Sequence, residues 1–97
     1  MINKDNRITQ TASLLKAIGH PIRVDIILCL SQNRNMTVTE LCNTLDVPQP
    51  ILSLHLGVLR KLNVLAVKKS GKRSIYSVLD ISVKQIINII YHTRISN

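Results

Sequence analysis

The sequence predicts a mainly α fold carrying one small β-hairpin, and three observations carry that prediction. Apolar residues recur at helical spacing in five separate stretches, the period switches to alternation around Ser70-Gly71, and Gly, Pro or polar runs punctuate the boundaries. Four helices, a two-stranded hairpin and a fifth helix are expected in that order.

Residues 1–7 are polar and are expected to lie outside the first helix. From Ile8 the apolar positions Ile8, Ala12, Leu14, Leu15 and Ile18 fall on one face, and Gly19 with Pro21 ends that helix, so its span is about 8–18. Pro21 suits the first turn of a second helix, where its missing N–H costs nothing. Ile22, Ile26, Ile27, Cys29 and Leu30 give this helix a broad apolar face up to about Ser31, with Arg23 and Asp25 pointing elsewhere. Thr37 followed three residues later by Glu40 has the form of a capping box, and Leu41 and Leu45 continue a short helix over about 38–45.

Asp46 and Val47 make the next turn. Pro48 and Pro50 are both tolerated only at or before the first helical turn, which sets the start of the fourth helix near Gln49. It is expected to reach about Leu62, with Leu52, Leu56, Leu59 and Leu62 facing the core, and Asn63 is a natural left-handed stop. Leu65, Val67, Ile75, Tyr76 and Val78 then alternate with polar residues on either side of the hairpin tip. Asp80 caps a last helix, about 81–93, whose isoleucines form an apolar surface too wide for one small core.

Ninety-seven residues make a single domain, 1–97, and a chain of this size buries only about 60–65% of its unfolded surface. A second subunit would add to that burial. Apolar residues are 45% of the chain, but it has two Tyr and no Phe or Trp, so it offers no platform for stacking single-stranded bases. The net charge of +8 is lopsided: residues 1–46 carry a net of +1 and residues 47–97 a net of +7. Six basic residues (Arg60, Lys61, Lys68, Lys69, Lys72, Arg73) fall between 60 and 73, a clustering that suits a polyanionic partner, with a merely solvated basic face as the common alternative.

The N-terminus lacks the apolar run of a signal peptide and no stretch of about 18 apolar residues occurs, so a cytoplasmic protein with no membrane partner is expected. Cys29 and Cys42 cannot build a disulfide framework, and in a reducing compartment both are expected as thiols. No Cys, His and carboxylate form a nucleophile-base motif and no Gly-rich phosphate loop is present; the expectation is no enzyme, no cofactor and no bound metal.

Residues 37–62 thus read as a helix-turn-helix and residues 64–79 as a basic wing, an arrangement that sets the longer helix in a major groove and the wing on phosphates. The run LLKAIGHPIRVDIILCL followed by TVTELCNTLDVPQPILSLHLGVLRKLNVLAVKKSGKRSIYSVLD resembles the ArsR/SmtB family of bacterial winged-helix repressors. The match is carried by Ser53-Leu54-His55-Leu56 with Leu59, and by Gly71-Lys72 through Tyr76 and Leu79. It implies a homodimer joined through the first and last helices, binding double-stranded operator DNA and released by a small effector.

The apolar surface such a dimer needs is present on Ile8, Leu15, Ile86, Ile87 and Ile90. Gln49, Ile51, Ser53 and Leu54 are expected at base edges or the nearby backbone, since Gln pairs with adenine and Leu or Ile meets a thymine methyl. His55 is assigned to packing or to a phosphate, and Arg60, Lys61, Lys68, Lys69, Lys72 and Arg73 to phosphates. The alternative reading is a protein-interaction module, or a non-specific architectural DNA binder, without an effector.

The effector is harder to read. Metal-sensing relatives carry Cys-x-Cys in the third helix, where this chain has Cys42 and Thr44; those with a site on the last helix use Asp and His, where it keeps Asp80 but has Ser82. Metal sensing is therefore disfavoured, because Zn²⁺ usually takes four N or S ligands. A thiol-sensing branch pairs a second-helix Cys, matched by Cys29, with a Cys near the chain's end, where His92 follows Tyr91 here. Cys29 and Cys42 remain the possible sensor thiols; bridging them needs a Cα separation of about 4.4–6.8 Å.

Overall fold

The structure is a computed structural model and describes residues 6–95; residues 1–5, most of the polar lead segment, lie outside the described residues. The chain runs α1 (Asn6–Ile18), α2 (Pro21–Asn33), β1 (Met36–Thr37), α3 (Val38–Leu45), α4 (Gln49–Lys61), β2 (Leu65–Ser70), β3 (Arg73–Val78) and α5 (Ile81–Ile95). The five helices and the hairpin follow the order read from the sequence. The polar residues Asn6 and Arg7, expected outside, form the start of α1, and α5 runs two residues beyond 93.

Each boundary has a local cause. His20 precedes Pro21 and its Nδ1 accepts from the Ile22 N–H at 3.1 Å, so α2 begins with a cap and a proline in its first turn. At the other end, Ser31 Oγ donates to Ile27 O at 2.6 Å and Asn33 Nδ2 to Cys29 O at 2.8 Å. Both acceptors are helical carbonyls four residues back, so these polar side chains fold onto the helix without diverting its backbone, and α2 continues past Ser31 into a polar run expected to end it. The Thr37–Glu40 capping box is complete: Glu40 N–H donates to Thr37 Oγ1 at 3.2 Å, and Thr37 N–H to Glu40 Oε1 at 2.9 Å. The Thr37 backbone N–H, helped by the Thr37 hydroxyl and the Arg73 charge, holds the Glu40 carboxyl below the usual range.

Asp46 closes α3 in the left-handed region at φ 55°, and Pro48 and Pro50 open α4 as cap and first-turn residue. Asn63 supplies the left-handed stop at φ 59°. Because the helix has already ended at Lys61, Leu62 is 40% exposed and does not join the core face assigned to it. Asp80 Oδ1 accepts from the backbone N–H groups of Ser82 and Val83 at 3.0 and 3.2 Å, capping α5 as expected.

The sheet has one strand more than the hairpin. β1 pairs antiparallel with β3, Met36 opposite Tyr76 and Thr37 opposite Ile75, so the order is β1-β3-β2 with β3 central. In the hairpin, Leu65 lies opposite Val78 and Ser70 opposite Arg73, with Gly71 at the tip in a left-handed conformation of φ +62° that glycine adopts without strain. The core collects Ile26, Ile27 and Leu30 from α2, Leu41 from α3, Leu52, Leu56 and Leu59 from α4, Val64 and Leu65, and Val83 and Ile87 from α5. This core fixes which sides of α4 and the hairpin remain outside. Among the described residues no helix is long and apolar enough to cross a membrane.

Candidate nucleic-acid interface

The three buried leucines of α4 determine its opposite surface. Leu52, Leu56 and Leu59 are almost completely buried. Gln49, Ile51, Ser53, Leu54, Gly57, Arg60 and Lys61 are consequently turned outward. Leu54 is 73% exposed and Ile51 43%, so both leave apolar surface open to solvent.

Gly57 stands in the middle of this outward surface. A Cβ there would meet nothing within 4 Å, so the chain's own packing does not require a glycine. Glycine inside a helix costs about 1 kcal/mol relative to alanine. Gly57→Ala is therefore expected to stabilise the free protein by about 1 kcal/mol in urea unfolding; a destabilised variant would show that Gly57 has a role within the fold.

The basic residues form a second surface. Lys68, Lys69, Lys72 and Arg73 are all exposed around the β2–β3 tip. Adjacent strand residues point to opposite sides, so Lys68 and Lys69 put one ammonium on each side of the hairpin. Arg73 also acts on Glu40 of α3. Arg60 and Lys61 occupy the last turn of α4, where positive charge complements the helix dipole as well as any phosphate.

His55 is placed differently from its neighbours. It is half-buried, and its Nδ1 accepts from Arg23 Nε at 3.1 Å, so this ring atom is turned into the chain. Its ring lies 4.5 Å from that of His20, tilted by 43°. Sequence reasoning left His20 and Arg23 out of the site because the bond spans 32 residues and no short motif reports it.

The thiols are free and occupy unlike settings. Cys29 is buried, with Sγ 3.5 Å from Met36 Sδ and 3.7 Å from Asn33 Nδ2. Burial pushes its pKa up, the Asn33 hydrogen bond opposes that, and Asp25 adds to it. Little thiolate, the reactive form, is then present near neutral pH. Cys29 shares a cleft with Asn33, Thr44, Leu45 and Tyr91, whereas half-buried Cys42 lines another beside Thr39, Asp46 and Gln49. Among the described residues no three His, Cys, Asp or Glu groups are gathered as a metal site.

At the other end, Leu15, Ile86 and Ile90 line an apolar groove of about 400 Å³ between α1 and α5, edged by Tyr91 and Arg94. Ile8 is exposed nearby in the chain on α1. Ile87 also lines this groove, but at 8% exposure it belongs mainly to the chain's own core.

Comparison with known proteins agrees with this geometry. The description "Bacterial regulatory protein, arsR family" matches residues 20–67. The chain is 35% identical over 81 residues to an HTH-type transcriptional regulator of Methanocaldococcus jannaschii, MJ1325, covering 84% of this chain and 91% of that one. It is 30% identical over 87 residues to the biofilm growth-associated repressor of Xylella fastidiosa, covering 90% and 75% respectively. Reduced HlyU from Vibrio cholerae superposes with a TM-score of 0.86 at 26% identity, over 97% of this chain and 98% of that one. The chain belongs to the ArsR family of bacterial regulatory proteins and is a DNA-binding transcriptional repressor of winged helix-turn-helix form.

Proposed function

We propose that the protein acts as a homodimer that occupies a roughly palindromic operator and leaves it when a small effector binds. The outward surface of α4 is the observation that carries this reading: Gln49, Ile51, Ser53 and Leu54 are exposed on a helix fixed from behind by three buried leucines. Gln49 and Ser53 supply hydrogen bonds to base edges, Ile51 and Leu54 supply apolar contact to thymine methyls, and the basic residues of the wing and the α4 end hold phosphates. The apolar groove between α1 and α5 supports the dimer, and two such subunits would present their α4 helices about 34 Å apart, one turn of DNA.

Nuclease footprinting of the region upstream of the protein's own gene tests this. A bounded protected segment of about two half-sites is the expected result; uniform coating of the duplex would instead favour a non-specific architectural role. Adding persulfide, oxidant or metal salts to the same reaction, with wild type and a Cys29→Ser, Cys42→Ser double variant, assigns the signal. Cys42 is the more accessible thiol and Cys29 the less reactive, so a thiol-directed effector acts first at Cys42. Release by oxidant that persists in the double variant would remove both thiols from sensing.

A further inference from the structure

Three side chains outside the DNA-facing surface tie α4 to the first two helices. Arg23 Nη1 donates to Ala17 O at 2.8 Å, near the end of α1, while its Nε donates to His55 Nδ1 on α4 at 3.1 Å. His20, whose Nδ1 caps α2, lays its ring against His55 with centroids 4.5 Å apart. One guanidinium thus joins three helices, and the residue it holds on α4 sits between the exposed Leu54 and the buried Leu56.

We propose that Arg23 and His20 are positioning residues for the DNA-reading helix, and that their hold on His55 lasts only while its Nδ1 is unprotonated, so that acidification loosens α4 and weakens operator binding. Arg23 Nε–H is a donor and Nδ1 must offer it a lone pair. Protonation turns that lone pair into a second donor and sets a positive ring against a guanidinium that cannot deprotonate. The titratable or charged groups that act on His55 are His20, from the α1–α2 turn, and Arg23, from α2, and both oppose its protonation. The third helix in the tie, α1, contributes the uncharged Ala17 carbonyl.

Burial first, then His20 and Arg23, hold His55 below the ordinary histidine range. The tied form therefore binds fewer protons than the released one. As pH falls below about 6.5, the ordinary histidine value, the released form gains, by up to about tenfold per pH unit for one proton. A His55 that simply contacted phosphate would behave in the opposite way, since a positive ring strengthens that contact.

The inference rests on the operator-binding reading, and the test separates the two. Operator affinity of the full chain is measured at fixed ionic strength from pH 8 to 5.5 for wild type and His55→Asn, whose side-chain oxygen keeps an acceptor near the Nδ1 position and does not titrate. The expected result is a wild-type affinity that falls toward pH 5.5 and a ratio between the two pH extremes that is near one in the variant. A wild-type affinity that is flat or rises on acidification overturns the proposal, as does an equal fall in His55→Asn. The Arg23 Nε–H and His55 ring resonances of the wild type, followed by NMR through the same range, need neither DNA nor the variant. Loss of the Arg23 bond in step with His55 titration supports the tie even if no operator is bound; a bond that survives the titration overturns it.

Discussion

Alanine at Lys68, Lys69, Lys72 and Arg73 together is expected to weaken binding to operator and to random duplex DNA alike, on the order of a thousandfold at moderate salt. Each phosphate neutralised contributes about −0.9 to the slope of log affinity against log salt, so four lost contacts per protomer flatten that slope by roughly 3.6, and by twice that in a dimer. The direction follows from position. All four side chains are exposed around a hairpin tip, away from the buried leucines of α4, so the contribution expected of them is field and phosphate contact without base readout. Their removal should leave the fold within about 0.5 kcal/mol of wild type, the usual range for exposed sites. Anisotropy titrations at several salt concentrations give the slope, and an unchanged slope would place the wing outside the interface.

Why so much of the architecture was legible comes down to punctuation. Pro21, the Thr37–Glu40 pair, Pro48 with Pro50, Asn63 and Asp80 each act through backbone chemistry within a few residues, so their effects can be read locally. The α4 start is the clearest case, because two prolines leave it one place to begin. What was missed lacked a local signature. β1 is two residues long, too short to show a period, and exists because β3 offers it a free edge. Ser31 and Asn33 read as a terminating run, yet their side chains bond back to Ile27 O and Cys29 O on the helix itself, and α2 extends to Asn33. Leu62 fits the i, i+3 pattern after Leu59, but the helix stops before the pattern can turn it inward.

The outward surface of α4 was legible for a related reason: once Leu52, Leu56 and Leu59 are assigned to the core, helical geometry leaves Gln49, Ser53 and Leu54 outside. The tie from Arg23 to His55 was not, because residues 32 apart meet only when the helices pack. The isoleucines of α5 divide in the same way. A run of apolar residues around the helix cannot say which of them the chain buries for itself, and the structure gives Ile87 to the core while Ile86 and Ile90 face outward.

That division selects the variant with the second large effect. Leu15→Glu combined with Ile90→Glu places one charge on α1 and one on α5, both lining the apolar groove, and both positions are exposed in the single chain. Solvent reaches either carboxylate in a monomer, so the fold and its circular dichroism should survive. In a dimer the same carboxylates would be buried away from water, a cost of several kcal/mol each that pairing with Arg94 at the groove's edge offsets only in part, in place of roughly 1.5–3 kcal/mol gained per buried Leu or Ile. The balance therefore reverses, and sedimentation should report a monomer. Operator affinity then falls by about 10²–10⁴, because the second half-site is no longer bound as an intramolecular step. The wing and α4 are untouched, so binding to a single half-site should persist with half the salt slope of the dimer. A variant that still sediments as a dimer and still protects both half-sites would move the interface away from α1 and α5, whereas loss of half-site binding as well would trace the defect to the fold and not to assembly.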